Sequence, residues 1–160
     1  MIKNILGCDF KYEDDKLYRL HKYTNKWSCC NDNKPFSKGY IQIRINKKLY
    51  KLHRLIYKYF NEAWDITDTS YNNLIDHINI NSYDNRIENL RIATHSQNCR
   101  NQNKRKNCSS KYKGIYWGKN NNKWQAKIRI NGKVKYLGSF DNEEEAAEVY
   151  KKKYDEIMNF

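Results

Sequence analysis

An acid and a histidine, Asp76 and His77, are adjacent in the stretch LIDHININSYDNRIENL at residues 74–90. An imidazole with an unperturbed pKa of about 6.5 can take a proton from water near physiological pH. A carboxylate is an oxygen ligand of the kind that hard divalent ions such as Mg²⁺ prefer. The pair therefore suits a general base beside a metal ion. The alternative is a polar pair that is hydrogen-bonded within the fold and does no chemistry.

Two asparagines follow this pair at defined spacings. Asn89 lies twelve residues after His77 and is followed by Leu90, and Asn98 lies twenty-one residues after His77. Because 22 of the 160 residues are asparagine, each asparagine alone is weak support for a site. The joint spacing of the pair and the two asparagines is the stronger signal.

The net charge of +13 is distributed unevenly along the chain. Residues 1–60 and 104–141 carry net charges of +9 and +10, whereas residues 61–103, around Asp76 and His77, carry −3. A basic surface rich in aromatic side chains suggests a polyanionic partner, most simply nucleic acid. The acidic patch between the basic blocks suits a divalent cation next to a bound phosphate, and uneven solvated charge is the alternative.

The bulk composition excludes several classes of protein. One proline and six glycines exclude a collagen-like chain, and 14% aromatic residues indicate folded cores. There is no apolar stretch long enough to span a membrane and no signal peptide, so we expect a soluble, intracellular protein that is not secreted. The five cysteines form no C-x-x-C pair and predict neither a disulfide framework nor a zinc ribbon.

Hydrophobic periodicity predicts the elements around Asp76 and His77. Residues 16–23 and 39–46 alternate as short strands do, and residues 50–60 have apolar side chains at helical spacing. The apolar stripe of that helix consists of Leu52, Leu55, Ile56, Tyr59 and Phe60. The letters LIDHI predict a further strand. Ser96 is a candidate cap for a short helix that carries Asn98.

Strand geometry limits how Asp76 and His77 can work together. Adjacent residues on a regular strand point to opposite faces. The two side chains can therefore converge on one ligand only if the strand is irregular or ends at this point. The turn-forming letters NINSYDN that follow support an end.

The last third of the chain has a different pattern. Residues 112–119, 123–131 and 133–140 alternate as three strands, and Asn131-Gly132 marks a tight hairpin. One face of the middle strand consists of Trp124, Ala126, Ile128 and Ile130, and the other of Gln125, Lys127 and Arg129. Asn142 begins a capping-box signature for a helix. The predicted apolar stripe of that helix is Ala146, Val149, Tyr150, Tyr154 and Ile157.

These patterns predict an α+β chain of four segments. Residues 1–50 form a small strand-rich N-terminal region, and residues 51–103 form the core that holds Asp76 and His77. Residues 104–111 form a basic linker. Residues 112–160 form a three-stranded antiparallel sheet packed on one helix.

The stretch from HRLIYKYF through DHININSYDNRIENLRIATHSQN, residues 53–98, resembles the HNH nuclease motif in the HNN-type variant of homing endonucleases. In that variant the third motif residue is often asparagine. The resemblance implies a ββα-metal core in which His77 is the general base and Asp76 and Asn98 bind one Mg²⁺ or Mn²⁺ ion. It also implies that Asn89 hydrogen-bonds across the loop and orients His77. His53 is more often a structural residue at the start of a helix.

The tail YKGIYWGKNNNKWQAKIRINGKVKYLGSFDNEEEAAEVY, residues 112–150, resembles the plant ethylene-response-factor DNA-binding domain, which such endonucleases sometimes carry. The resemblance implies a sheet that enters the major groove of DNA and reads base edges. Trp117 fits either a core or a contact position. The predicted contacts of this domain are Lys113, Tyr116, Trp117, Lys127, Arg129, Lys133, Lys135 and Tyr136. The predicted phosphate contacts, which give affinity without sequence information, are Arg86, Arg91, Arg100, Lys104, Arg105 and Lys106.

Together the two resemblances predict a metal-dependent, site-specific DNA endonuclease of the HNH homing type that nicks or cuts double-stranded DNA. We expect a monomer that needs no small-molecule cofactor and no membrane. The alternative is a non-catalytic, sequence-specific DNA-binding regulator that keeps a degenerate HNH fold. A weaker alternative is an RNA-binding protein, which a basic and aromatic composition also fits.

Overall fold

The computed structural model describes residues 1–36, 39–103, 108–130 and 132–158. It confirms the predicted mixed α+β class. The chain divides into two compact units, Met1–His95 and Ser96–Phe160. The segment boundaries after residues 50, 103 and 111 remain predictions, and residues 104–107 of the predicted linker lie outside the described residues. Within the described ranges no helix is long and apolar enough to cross a lipid bilayer.

The first unit contains a four-stranded antiparallel sheet, two smaller two-stranded ribbons and a helix. The four-stranded sheet has the order β1-β2-β3-β4, formed by Ile2–Ile5, Cys8–Glu13, Lys16–Leu20 and Trp27–Cys29. The first ribbon consists of β5 (Gln42–Ile45) and β6 (Lys48–Lys51), and helix α1 (Leu52–Phe60) follows directly. The second ribbon consists of β7 (Leu74–His77) and β8 (Leu90–Ala93), with a 3-10 turn at Ile87–Asn89 before β8.

Helix α1 packs its apolar stripe into the core of this unit. Leu52, Leu55 and Ile56 are almost fully buried, beside core residues from the sheet and from both ribbons. The predicted stripe is wrong at its end, because Phe60 in the last turn is 42% exposed. His53 is buried on this helix as well, although the predicted stripe did not include it.

The β7–β8 ribbon is regular up to the residue where β7 ends. Asp76 pairs with Arg91 and His77 pairs with Leu90, and the chain then turns away after His77. The predicted strand end is therefore confirmed. Helix α2 (His95–Arg100) begins at His95, so Ser96 lies inside its first turn and the prediction of Ser96 as its cap is wrong.

The second unit is a three-stranded antiparallel sheet covered by a long helix, as predicted. The sheet has the order β11-β10-β9, formed by Lys133–Phe140, Lys123–Ile130 and Ile115–Gly118. Helix α3 (Glu143–Met158) starts at the predicted cap, where the backbone N–H of Glu144 donates to Oδ1 of Asn142 at 2.7 Å. Asn131 of the predicted hairpin pair lies outside the described residues.

The core of the second unit is small. Ile115, Ala126 and Ala146 are almost fully buried in it. Larger side chains pack around these three, namely Tyr112, Trp124, Leu137, Phe140 and Tyr150. The predicted stripe of α3 is wrong at Val149, which is 36% exposed, because the packed side of the helix runs through Ala146 and Tyr150.

Candidate active site

His77 is the last residue of β7 and is only 5% exposed. Its Nε2 atom lies 3.0 Å from Oδ1 of Asn85, in the loop between β7 and β8. Asn85 is buried as well, and its Nδ2 group donates to the backbone carbonyl of Tyr83. Since Nδ2 is used in this way, the amide oxygen is the atom that faces the imidazole.

This contact assigns the imidazole tautomer. An amide oxygen only accepts hydrogen bonds, so Nε2 of His77 carries the hydrogen and donates to Asn85. In the neutral ring the basic lone pair then lies on Nδ1. In this arrangement Nε2 of His77 is held by a hydrogen bond within the protein, and Nδ1 is the nitrogen that can accept a proton.

Asn89 braces the loop that carries Asn85. Its Oδ1 accepts from the backbone N–H of Asn79 at 2.9 Å, and its Nδ2 donates to the carbonyl of Asp84 at 2.7 Å. Nδ2 also donates to Oδ1 of Asn79. Asn89 therefore spans the loop, and the amide that reaches His77 is that of Asn85. Sequence reasoning missed Asn85 because it is one asparagine among many in this stretch, with no distinctive spacing.

The rings of His53 and Tyr40 pack against His77. The ring of His53 meets it edge to face at 4.9 Å between centroids, and the ring of Tyr40 lies 6.1 Å away. Burial, followed by the neighbouring His77, holds the pKa of His53 well below its ordinary value. His53 is therefore neutral at physiological pH, and it packs against His77 without adding a second charge to the site.

Asp76 is 6% exposed and forms an ion pair with Arg91. Nη2 of Arg91 lies 3.2 Å from Oδ2 of Asp76, and its Nε lies 3.4 Å from the same oxygen. The two residues are directly opposite each other in the β7–β8 ribbon. Arg91, predicted as a phosphate contact, is thus placed beside the predicted metal-binding carboxylate.

The donor set around Asp76 suits one kind of metal ion better than others. Within residues 1–36, 39–103, 108–130 and 132–158, no three His, Cys, Asp or Glu side chains gather to hold a metal. Zinc sites usually need such a cluster. Mg²⁺ is commonly held by one or two carboxylates together with water and substrate phosphates, so the single buried carboxylate of Asp76 fits that class. Asn98, the second predicted ligand, lies on α2 in the second unit, and its role as a ligand remains a prediction.

Four predicted DNA contacts share the face of the second unit's sheet that points away from α3. Cross-strand partners lie on the same face, and Lys127 is paired with Tyr136. Tyr116 and Arg129 belong to this face by strand alternation, while Ala126 and Ile128 point into the core beneath α3. Together Tyr116, Lys127, Arg129 and Tyr136 form what we call the outer face.

Three other predicted contacts lie on the side of α3. Trp117 is paired with Trp124, and the two rings meet edge to face at 5.0 Å. Lys135 is paired with buried Ile128, and Lys133 with Ile130. Because Ile128 is buried under α3, its cross-strand partner Lys135 lies on the side of the sheet that the helix covers.

The remaining predicted contacts are engaged within the protein or lie outside the described residues. The ammonium of Lys113 donates to the carbonyls of Arg100 and Gln102, and burial lowers its pKa. Arg86 forms a bidentate ion pair with Asp84, with both N–O distances at 2.9 Å. Arg100 donates to the backbone carbonyl of Arg129. The residues outside the described ranges are Lys104, Arg105 and Lys106.

Comparison with known proteins supports the first of the two resemblances. Residues 50–100 match the family model described as HNH endonuclease. The chain is 34% identical over 108 residues to a protein named Uncharacterized HNH endonuclease L560 from Acanthamoeba polyphaga mimivirus. That alignment covers 68% of this chain and 53% of the relative, so the chain spans about half the length of the relative it matches. No solved structure matches the chain.

The match to the HNH endonuclease family model covers residues 50–100, which hold α1, the β7–β8 ribbon and α2. This stretch contains Asp76, His77, Asn85 and Asn89. The tail from residue 112 to 150 lies beyond the family match. Its resemblance to the ethylene-response-factor domain remains a prediction; the structure shows a three-stranded sheet and a covering helix in this part of the chain.

Proposed function

We propose that this protein is a metal-dependent, site-specific DNA endonuclease of the HNH homing type, with His77 as the general base. One observation carries the proposal. His77 stands at the end of β7, inside the HNH endonuclease match, with its Nε2 anchored on Asn85. A base of this kind needs a fixed ring and a defined tautomer, and Asn85 supplies both.

The chemistry assigned to His77 is the activation of water. Nδ1 accepts a proton from a water molecule, and the hydroxide attacks phosphorus while the bond from phosphorus to the 3′ oxygen breaks. The departing 3′ oxygen keeps the bonding electron pair and takes a proton from solvent. The products are a 5′-phosphate and a 3′-hydroxyl end. The imidazolium that forms keeps its Nε2–H donation to Asn85, which stabilises its positive charge.

Asp76 is the residue that would hold the metal ion, with Asn98 as the proposed neutral ligand. When bound, Mg²⁺ or Mn²⁺ neutralises charge that builds on the phosphate and on the departing oxygen. Because Asp76 is paired with Arg91 in the free protein, metal binding has to compete with an ion pair. We therefore expect modest metal affinity until DNA supplies phosphate oxygens as further ligands.

The second unit is the proposed site-selecting part. Its outer face combines two cations, Lys127 and Arg129, with two exposed tyrosines, Tyr116 and Tyr136. A small sheet of this kind can enter the major groove, where each base pair presents a distinct pattern of donors and acceptors. The residues Lys133 and Lys135, on the side of α3, are expected to contribute less.

A second candidate function is a DNA-binding regulator with an inactive nuclease fold. The ion pair between Asp76 and Arg91 favours it, because a carboxylate that is satisfied by a cross-strand arginine also serves as a purely structural pair. The two candidates share the DNA partner and differ in hydrolysis.

The test is to incubate long duplex DNA of many sequences with the purified protein, with Mg²⁺, Mn²⁺ or EDTA, and to sequence the ends. The nuclease assignment predicts metal-dependent breaks at a restricted set of sites, with 5′-phosphate ends. Binding without breaks in any metal would instead support the regulator. Site selection is tested by Arg129→Ala, which should redistribute the breaks, against Lys135→Ala as the matched control.

A further inference from the structure

An isoleucine three residues after His77 has a backbone conformation that few side chains adopt. The φ of Ile80 is +67°, in the left-handed region. Glycine and asparagine tolerate this region, whereas a β-branched side chain there is an outlier. The chain has 22 asparagines, and one stands on each side of Ile80. The position therefore holds a residue type that destabilises the turn, although asparagine would fit it.

Burial of the side chain does not offset this strain. Ile80 is 40% exposed and belongs to neither hydrophobic core cluster of the described residues. A single exposed isoleucine is common on a protein surface. An exposed isoleucine on strained backbone is uncommon, because neither packing nor conformation favours it in the free protein. A contact with another molecule accounts for both features.

The backbone around Ile80 is held by hydrogen bonds on both sides. The N–H of Ile80 donates to the carbonyl of His77 at 3.0 Å. Oδ1 of Asn79 accepts from the N–H of Asn81 and from Nδ2 of Asn89, both at 2.9 Å. Strained conformations persist where the surrounding structure over-determines them, and they cluster at active sites and ligand contacts. Since one hydrogen bond joins Ile80 to His77, a duplex that reaches His77 lies next to Ile80 as well.

A second exposed isoleucine of the same loop has a different environment. Ile78 is 45% exposed, and its φ lies outside the left-handed region. It lines a cavity of about 440 Å³ together with the carboxylates of Asp15, Asp84 and Glu88. Carboxylates repel a phosphate backbone, so Ile78 is not placed to enter a duplex. Ile78 therefore serves as the matched control for Ile80.

We propose that Ile80 is a wedge that enters bound duplex DNA from the minor groove and unstacks one base step beside the phosphate at His77. The inference rests on the proposed function, because it describes how the DNA is deformed at the same site. Isoleucine is among the apolar side chains that minor-groove proteins insert between base steps, and the insertion kinks the duplex. The held backbone keeps the side chain in solvent, where a stacked base step can meet it.

The experiment uses the full chain in EDTA, so that DNA binding is measured without metal-dependent cleavage. The probe is a duplex selected from a random pool by binding to the protein. It carries 2-aminopurine at each adenine in turn, because this base fluoresces more strongly when it is unstacked. Binding of the wild type should raise the fluorescence at one base step, and binding of Ile80→Asn should not. Ile80→Leu keeps an apolar side chain and should keep the signal.

Thermal unfolding of the free protein gives the second readout. Ile80→Asn should raise the melting temperature by roughly 2–6 °C, because asparagine relieves the backbone strain. Ile78→Asn should keep the fluorescence signal and should not raise the melting temperature, since the backbone of Ile78 is not strained. A purely structural isoleucine would not give a gain in stability together with a loss of DNA distortion.

The outcomes separate this inference from the proposed function. The absence of a signal in the wild type, or an equal signal in Ile80→Asn, would overturn the wedge whether or not the protein cuts DNA. An equal loss of signal in Ile78→Asn would overturn it too. A lower melting temperature for Ile80→Asn would show that the isoleucine serves the fold, and the inference would be rejected. Loss of the signal in Ile80→Asn alone, in a protein that cuts no DNA, would keep the wedge and reject the nuclease.

Discussion

Nε2 of His77 and Oδ1 of Asn85 are 3.0 Å apart, between two side chains that are both almost fully buried. The contact ties the end of β7 to the loop before β8, and Asn89 in turn holds that loop through Asn79 and Asp84. The orientation of the proposed base therefore depends directly on Asn85 and indirectly on Asn89, which holds the loop of Asn85. The nearer one, Asn85, touches the imidazole.

Replacing Asn85 by alanine should lower the maximal rate of DNA cleavage by about 10- to 100-fold, the usual effect of losing a group that orients a functional histidine. The half-saturating DNA concentration should change little, because Asn85 is buried and does not reach solvent. Single-turnover cleavage over a range of protein concentrations separates the two quantities. Asn72→Ala, at an exposed loop position, is the control. Equal maximal rates for the two variants would remove Asn85 from the mechanism.

Arg91→Gln should tighten Mn²⁺ binding to the free protein by roughly tenfold, because it removes a positive charge that competes for Asp76. It should also destabilise the fold by about 1–3 kcal/mol, since a buried carboxylate loses its ion pair with Arg91. Free Mn²⁺ measured by electron paramagnetic resonance gives the affinity. Arg44→Gln, at an exposed position on β5, controls for net charge. If Asp76→Asn binds Mn²⁺ as well as the wild type does, Asp76 is not the ligand.

The buried His53 predicts a loss of stability in mild acid. Burial, followed by His77, holds its pKa in the folded protein well below 6.5, so the unfolded chain binds a proton that the folded protein excludes. Its contribution is therefore complete above about pH 6.5 and falls as the pH drops, by at most about 1.4 kcal/mol per pH unit. Urea denaturation from about pH 5 to pH 7.5 should show a weaker pH dependence for His53→Gln than for the wild type. His21→Gln, in the exposed loop after β3, should keep the wild-type dependence.

Gly114 is required by the packing of α3 on its sheet. Its φ is +76°, and a Cβ there would overlap the ring of Tyr150. Gly114→Ala should therefore destabilise the second unit by about 2–4 kcal/mol, through backbone strain together with the clash. Gly132 has a similar φ of +79°, but a Cβ there would meet no described atom within 4 Å. Gly132→Ala should cost only about 1 kcal/mol of unfolding free energy. Calorimetry of both variants measures the two losses. Equal losses of stability would show that packing of Gly114 against Tyr150 is unimportant.

Periodicity in the sequence was enough to predict the main elements of the fold. The stripe of α1, the alternation of β10 and the Asn142 cap each depend on residues close together in the chain, so local rules apply to them. The predicted burial of Phe60 and Val149 was wrong, because burial at the edge of a helix depends on which other elements pack there. Periodicity alone does not contain that information.

The candidate site was only partly predictable for a related reason. Asp76 and His77 were found as an adjacent pair, and the end of β7 followed from the turn-forming letters after it. The contact of Asn85 with His77 depends on how the connection at residues 78–89 closes, and the pairing of Asp76 with Arg91 depends on ribbon register. Neither the closure nor the register can be read from residue type.

The most direct test of the account is the single-turnover rate of cleavage by His77→Ala at a mapped site in duplex DNA with Mg²⁺. The control is His95→Ala, which changes an exposed histidine whose ring meets that of Tyr71 edge to face. We predict that His77→Ala binds the duplex as the wild type does and loses at least about 100-fold in rate, the contribution expected of a general base, while His95→Ala stays within a few-fold of wild type. Cleavage by His77→Ala at the wild-type rate would contradict the assignment of His77 as the base.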